Sequence, residues 1–197
     1  MADTIIDLIR HGEPEGGRAY RGHGIDDPLS KKGWQQMWTA VGNAAPWDHI
    51  ITSPMLRCSD FARILADKHD LPVTVEDSLK EIGFGVWEGR TPEQIKSETP
   101  DEYIDFYRDP VNMRPAGAEN LTAFISRVTT VYESVCTSYA GKHVLLVAHA
   151  GVIRAIVAHI LQAPSAAMYQ IKVDNARISR IQTIDGVHRL MCHNSVL

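Results

Sequence analysis

Apolar residues along the chain fall into two patterns: short unbroken runs and longer stretches at helical spacing. Thr4 to Ile9 is apolar apart from Asp7 and predicts a buried strand feeding a loop at Arg10-His11-Gly12. Gly12 to Pro28 holds five glycines, two prolines and few apolar residues, which predicts a long loop. Trp34, Met37, Trp38 and Val41 share one face of a helix running from Ser30, its N-cap, to about Gly42. His49 to Thr52 reads as a strand. Ser53-Pro54 reads as the start of a helix, with serine as N-cap, proline at the first position and Phe61, Ile64 and Leu65 as its apolar stripe. Leu71 to Val75 predicts a third short strand, and Lys80 to Arg90 a glycine-rich irregular segment.

Thr91-Pro92-Glu93-Gln94 and Thr99-Pro100-Asp101-Glu102 both have the form of a capping box with proline at the first helical position. They predict two short helices in a small cap-like insertion over about 91–115. Leu121, Phe124, Ile125, Val128, Val131, Tyr132 and Val135 mark a long helix. His143 to Ala148 is a second apolar strand, followed by a helix over Val152 to Leu161. Met168 to Val173, Ala176 to Ile184 and Val187 to His193 read as late strands, with Asp185-Gly186 as a hairpin turn between the last two. Strands alternating with helices predict an α/β fold, a three-layer α/β/α sandwich around a mostly parallel sheet.

With 197 residues, the chain is expected to form one domain over 1–197 and to bury roughly 70% of its extended surface without staples. Twenty basic against twenty-four acidic residues give a net charge of −4, which argues against a general nucleic-acid or anionic-membrane binder. A small anionic substrate remains compatible, because a few arginines set the field inside one pocket. Cys58, Cys136 and Cys192 are far apart and odd in number, so a reduced, cytoplasmic protein is expected rather than a disulfide framework. Met1 to Thr4 carries no basic stretch before the apolar run, which does not resemble a signal peptide. The apolar region Val144 to Leu161 is interrupted by His149, Arg154 and His159 and is too polar to span a bilayer. The sequence does not fix the oligomeric state, and a homodimer stays open.

Two predicted strands each deliver a histidine to their carboxyl end, His11 and His149, where ligands sit in open parallel sheets. Arg10 precedes the first. Arg57 lies on the first turn of the helix after the strand ending at Thr52. Two arginines, two histidines and a helix N-terminus would suit a dianion such as a phosphate. Taken singly, each residue has a plainer explanation: a structural histidine, a solvated arginine. His188, Cys192 and His193 match no standard metal spacing, and the four tryptophans read as packing residues.

Leu8-Ile9-Arg10-His11-Gly12-Glu13 resembles the signature of the histidine phosphatase superfamily. The resemblance continues in order through Tyr20-Arg21-Gly22, Asp26-Asp27-Pro28-Leu29-Ser30, Ser53-Pro54-Met55-Leu56-Arg57-Cys58 and the segment Leu79 to Gly89. It ends with Pro115-Ala116-Gly117-Ala118-Glu119 and Val147-Ala148-His149-Ala150-Gly151-Val152-Ile153-Arg154, spanning about three quarters of the chain. It implies phosphomonoester hydrolysis with His11 as the nucleophile. It further implies that Arg10, Arg57 and His149 hold the transferring group and that Glu81 donates the proton. Arg21 and Gly22, in the loop over the pocket, are candidates for substrate binding. The resemblance implies no cofactor and no metal, and a small phosphorylated metabolite as substrate.

The sequence departs from the common family pattern at Gly17, where many members carry asparagine, and at Ala118 and Ala150, which replace glycines. The lost asparagine argues against a mutase. Glu13-Pro14-Glu15-Gly16-Gly17 together with Gly33-Trp34-Gln35-Gln36-Met37 is similar to α-ribazole phosphatase-type members. That implies an α-ribazole 5′-phosphate substrate. A broad or sugar-phosphate phosphatase, a phosphoglycerate mutase and a catalytically idle phospho-ligand-binding regulator remain as alternatives.

Overall fold

The computed structural model describes residues 3–43 and 45–196, so the N-terminal expectation for Met1 and Ala2 falls outside the described residues. Six strands form one sheet: β1 (Thr4–Arg10), β2 (His49–Thr52), β3 (Val73–Val75), β4 (His143–Ala148), β5 (Ile178–Ile184) and β6 (Val187–Ser195). Their order is β3-β2-β4-β1-β5-β6. The first four are parallel, and β5 and β6 form an antiparallel edge, so the sheet is mixed and mostly parallel as expected. Asp185 and Gly186 both take positive φ, as a two-residue hairpin turn demands.

Six α-helices pack on the sheet: α1 (Lys31–Val41), α2 (Leu56–His69), α3 (Pro92–Glu98), α4 (Pro100–Arg108), α5 (Leu121–Ser138) and α6 (Ala150–Ile160). Strand pleating assigns the faces. Ile6, Leu8, Val144, Leu146 and Ala148 point into a core closed by α5, α6 and the aromatic side of α3 and α4. Ile9, Ile50, Leu145 and Val147 point the other way, against α1 and α2. Most of these side chains are fully buried, each stabilising the fold by about 1.5–3 kcal/mol before chain entropy is counted. The result is the expected three-layer α/β/α arrangement. Trp47 and Trp87 are buried, and Trp34 and Trp38 pack on Phe61.

Five local expectations are corrected. First, α2 starts at Leu56 with Met55 as N-cap, and the Ser53 hydroxyl, three residues earlier, is shared between His149 and the Met55 N–H. Ile64 is 47% exposed and leaves the apolar stripe to Phe61, Ala62 and Leu65. The Thr91 capping box forms, but the Thr99 hydroxyl donates to the Ile95 carbonyl, serving the end of α3 rather than the start of α4. Ser165–Gln170 is a 3-10 helix, and Met168 to Val173 is no strand. The carbonyls of Ile171, Lys172 and Val173 bond the side chains of Arg154, His193 and Arg10 and are not engaged in a ladder. Finally, α6 begins at Ala150, directly after His149, which places its first N–H groups at the sheet edge.

Candidate active site

The β1–β4 register explains the first pair of functional residues. Arg10 lies opposite Ala148, so the next residues, His11 and His149, leave the sheet side by side. Their ring centroids are 5.2 Å apart. His11 Nδ1 lies 2.7 Å from the Gly12 carbonyl, which can only accept. The ring proton therefore sits on Nδ1, and Nε2 keeps its lone pair. Burial, then the positive charges of Arg10 and Arg57, holds His11 well below the usual histidine range, so the ring is neutral at pH 7. His149 is fully buried behind it and is likewise held low, first by burial and then by Arg57. His149 Nε2 is hydrogen-bonded to Ser53 Oγ at 2.7 Å, and Ser53 Oγ also accepts from the Met55 N–H.

Arg10 and Arg57 supply the positive floor. Arg57, 1% exposed, donates from Nη1 to the Ile25 carbonyl and from Nη2 to the Gly22 carbonyl. Arg10 donates from Nη1 to the Val173 carbonyl. Burial pulls Arg10 down to about 10, with Glu81 opposing and Arg154 reinforcing the effect, and it stays cationic at neutral pH. Among the described residues, the buried Nε atoms of both arginines have no hydrogen-bond partner. Such orphaned donors are uncommon in folded proteins and suit an oxyanion.

Glu81 stands across from the histidines. Its carboxylate accepts from the Ile82 N–H at 2.9 Å and from the Gly151 N–H, in the first turn of α6, at 3.1 Å. A Cβ at position 151 would overlap a Glu81 oxygen, so glycine lets the carboxylate reach this helix end. Glu119 and Arg127 brace the segment behind it. Arg127 pairs with Glu119 and donates to the carbonyls of Ser78 and Lys80, while Glu119 accepts from the Gly83 N–H.

The loop between β1 and α1 forms a wall of the pocket. Gly22 has a φ of 55° and lies so close to the Glu88 carboxylate that a Cβ would overlap it; its carbonyl holds Arg57. Arg21, 8% exposed, bonds Asp27 and the carbonyls of Ala19 and Glu15, so its hydrogen bonds go to its own loop while its side chain lines the wall. The pocket has a volume of about 520 Å³ and is lined by Arg10, His11, Arg57, Glu81, Arg21 and Gly22, among others. His149 is not on its surface. Sequence reasoning missed Asn175, whose side chain donates to the His11 carbonyl, and did not assign Arg154, which also lines the pocket and whose Nε donates to the Ile171 carbonyl. Arg154 was legible, since it closes the second histidine motif; Asn175 carries no local signal. Among the described residues, no group of three or more His, Cys, Asp or Glu side chains could hold a metal ion, and no helix is long and apolar enough to cross a membrane.

The family profile described as "Histidine phosphatase superfamily (branch 1)" matches residues 6–196. Adenosylcobalamin/alpha-ribazole phosphatase of Salmonella typhimurium LT2 is 30% identical over 192 residues, covering 95% of each chain. Phosphoserine phosphatase 1 of Hydrogenobacter thermophilus is 28% identical over 88% of this chain and 84% of its own. The crystal structure of the alpha-ribazole phosphatase from Shigella flexneri superposes with a TM-score of 0.82 at 27% identity, covering 97% of this chain and 96% of that one.

Proposed function

The chain belongs to the histidine phosphatase superfamily, and we propose that it hydrolyses small phosphomonoesters through a phosphohistidine on His11. The observation that carries this is the tautomer of His11. Its Nδ1 proton is tied to the Gly12 carbonyl, which leaves the Nε2 lone pair free, and burial with the charges of Arg10 and Arg57 keeps the ring neutral. In the first step His11 Nε2 attacks phosphorus, the ester P–O bond breaks, and the leaving alkoxide takes a proton from Glu81. In the second, water attacks the phosphorus of the P–N adduct, Glu81 takes the water's proton, and His11 is released with inorganic phosphate. Arg10 and Arg57 offset charge on the equatorial oxygens, the main requirement of phosphoryl transfer. His149, fixed by Ser53, holds the nucleophile's flank. No step requires a metal. The whole chain acts as one unit, with 91–115 as a cap that lends Pro92 and Tyr107 to the pocket wall.

Glu81→Gln is expected to lower kcat on alkyl phosphates by about 10²–10⁴-fold and on p-nitrophenyl phosphate far less, because p-nitrophenolate leaves without a proton. Steady-state kinetics on both esters check this; an equal loss on both removes Glu81 from the acid role.

Our substrate assignment is α-ribazole 5′-phosphate, supported by the named activity of the Salmonella and Shigella relatives and by the similarities around Glu13–Gly17 and Gly33–Met37. The test is kcat/KM, in EDTA, for this ester against p-nitrophenyl phosphate, phosphoserine and 3-phosphoglycerate. Preference by orders of magnitude supports the assignment. A flat profile that still depends on His11 keeps the phosphatase and refutes the substrate.

A further inference from the structure

The C-terminal end of β6 departs from a regular ladder. Ile178 pairs with Ser195 and Arg180 with Cys192, so Ser179 alone faces both His193 and Asn194. One residue opposite two is a β-bulge, a device that re-aims side chains and is over-represented beside active sites. Asn194 takes a φ of 54°, a left-handed conformation that is uncommon outside glycine and that asparagine tolerates. The buried Ser179 hydroxyl pins the bulge. It is hydrogen-bonded to His193 Nδ1 at 2.9 Å and accepts from the Asn194 N–H at 3.4 Å.

The bulge turns both side chains onto the segment between the 3-10 helix and β5. His193 Nε2 donates to the Lys172 carbonyl at 2.7 Å. Asn194 grips Asp174 twice: its Oδ1 accepts from the Asp174 N–H at 2.7 Å, and its Nδ2 donates to Asp174 Oδ2 at 2.9 Å. Val173 lies between these two anchored residues, and its carbonyl accepts from Arg10 Nη1 at 2.8 Å. Among the described residues that is the only hydrogen bond of the Arg10 side chain, and its buried Nε has none. The Arg10 backbone is held separately, by the Arg177 carbonyl and the Ala176 N–H. One carbonyl, fixed on both flanks by the bulge, therefore sets the direction of this guanidinium. Neither His193 nor Asn194 lines the pocket itself.

Resting on the phosphatase reading above, we infer that Asn194 is a positioning residue: through Asp174 and the Val173 carbonyl it aims the Arg10 fork at the transferring phosphoryl group. A guanidinium owes its strength on phosphate to planar, bidentate geometry, so its direction matters as much as its charge. The Arg10 stem is flexible, and a Val173 carbonyl that shifts takes the fork with it. Misplacement by about 1 Å at a reacting group costs on the order of 10²-fold in rate.

Asn194→Gly is the sharpest variant, because glycine keeps the left-handed backbone and removes only the grip. On p-nitrophenyl phosphate it should lose roughly 10–100-fold in kcat/KM, with a thermal melt close to that of the wild type. Arg10→Lys supplies a second background, since a single ammonium keeps the charge but has no fork to aim. Losses that act through one group do not add, so in Arg10→Lys the same change should cost less than about twofold more. Kinetics of Asn194→Gly within about threefold of wild type, whatever its melt, leave Asn194 a stabilising residue alone and overturn the inference. Loss of the same factor in both backgrounds overturns it too, because the effect then bypasses Arg10. A wild-type protein that hydrolyses no phosphomonoester and forms no phosphoenzyme removes the phosphatase reading and this inference with it.

Discussion

His11→Ala is expected to lower kcat/KM on every phosphomonoester by roughly 10⁴-fold or more, the scale seen when a nucleophile is removed. The size follows from what the substitution leaves. Arg10 and Arg57 would still bind a phosphate, so KM should change much less than kcat. Without Nε2, displacement must wait for water that nothing in the floor is placed to aim. The fold should survive. The His11 N–H bond to the Ala148 carbonyl and the Asn175 bond to the His11 carbonyl are made by the backbone and remain. Circular dichroism and a thermal melt alongside the kinetics separate lost chemistry from lost structure; a variant that keeps turnover refutes the nucleophile assignment.

The largest stability effect is expected at Asp7, a fully buried carboxylate in the middle of β1. It accepts from Arg180 Nε at 2.7 Å and Nη2 at 2.9 Å, from His143 Nε2 at 2.9 Å and from Trp47 Nε1 at 2.9 Å. Burial pushes its pKa up, and the hydrogen bonds from Arg180, His143 and Trp47 together overcome that and bring it to about 2. Removing one partner of such a network strands the others, so Asp7→Ala should cost about 3–5 kcal/mol, or roughly 6–20 °C in Tm for a chain of this size. The pH dependence has a definite sign. The native pKa lies below the unfolded one, so the carboxylate's contribution is complete above the ordinary aspartate value of 3.8 and is lost as pH falls towards 2. Urea unfolding should therefore show the wild type converging on Asp7→Ala between about pH 4 and pH 2. A constant gap over that range would mean that the charge is not what the network stabilises.

Much of this architecture is legible in the sequence wherever one pattern dominates. The apolar runs of β1 and β4 have no competing signal, and their ends identify His11 and His149. Asp185-Gly186 can hardly be anything but a hairpin turn, and Thr91-Pro92-Glu93-Gln94 folds locally as its capping pattern requires. Expectations failed where a tertiary partner outbid the local one. Ser53 has the form of an N-cap, yet its shorter bond is to His149, 96 residues away in sequence, and the helix begins only at Leu56. Thr99 sits between two helices and can serve only one. Met168 to Val173 has strand-like composition, but its carbonyls hold Arg10, Arg154 and His193. Asn175 reaches the site through a loop, and the Glu119–Arg127 brace spans the end of one motif and the middle of a helix. Neither contact has a periodicity that could reveal it. Asp7 stood out only as a polar residue in an apolar run; its partners come from β4, β5 and the loop before β2.

The central claim is that phosphorus passes through His11 Nε2. The most direct test is to mix the protein with a phosphomonoester, quench in alkaline denaturant within the first turnover, and locate any added phosphoryl group by mass spectrometry without exposure to acid. The account predicts one phosphoryl group on His11, stable in base, lost in mild acid, and absent from His11→Ala. Turnover with no adduct on His11, or an adduct on another residue that persists in His11→Ala, would contradict it.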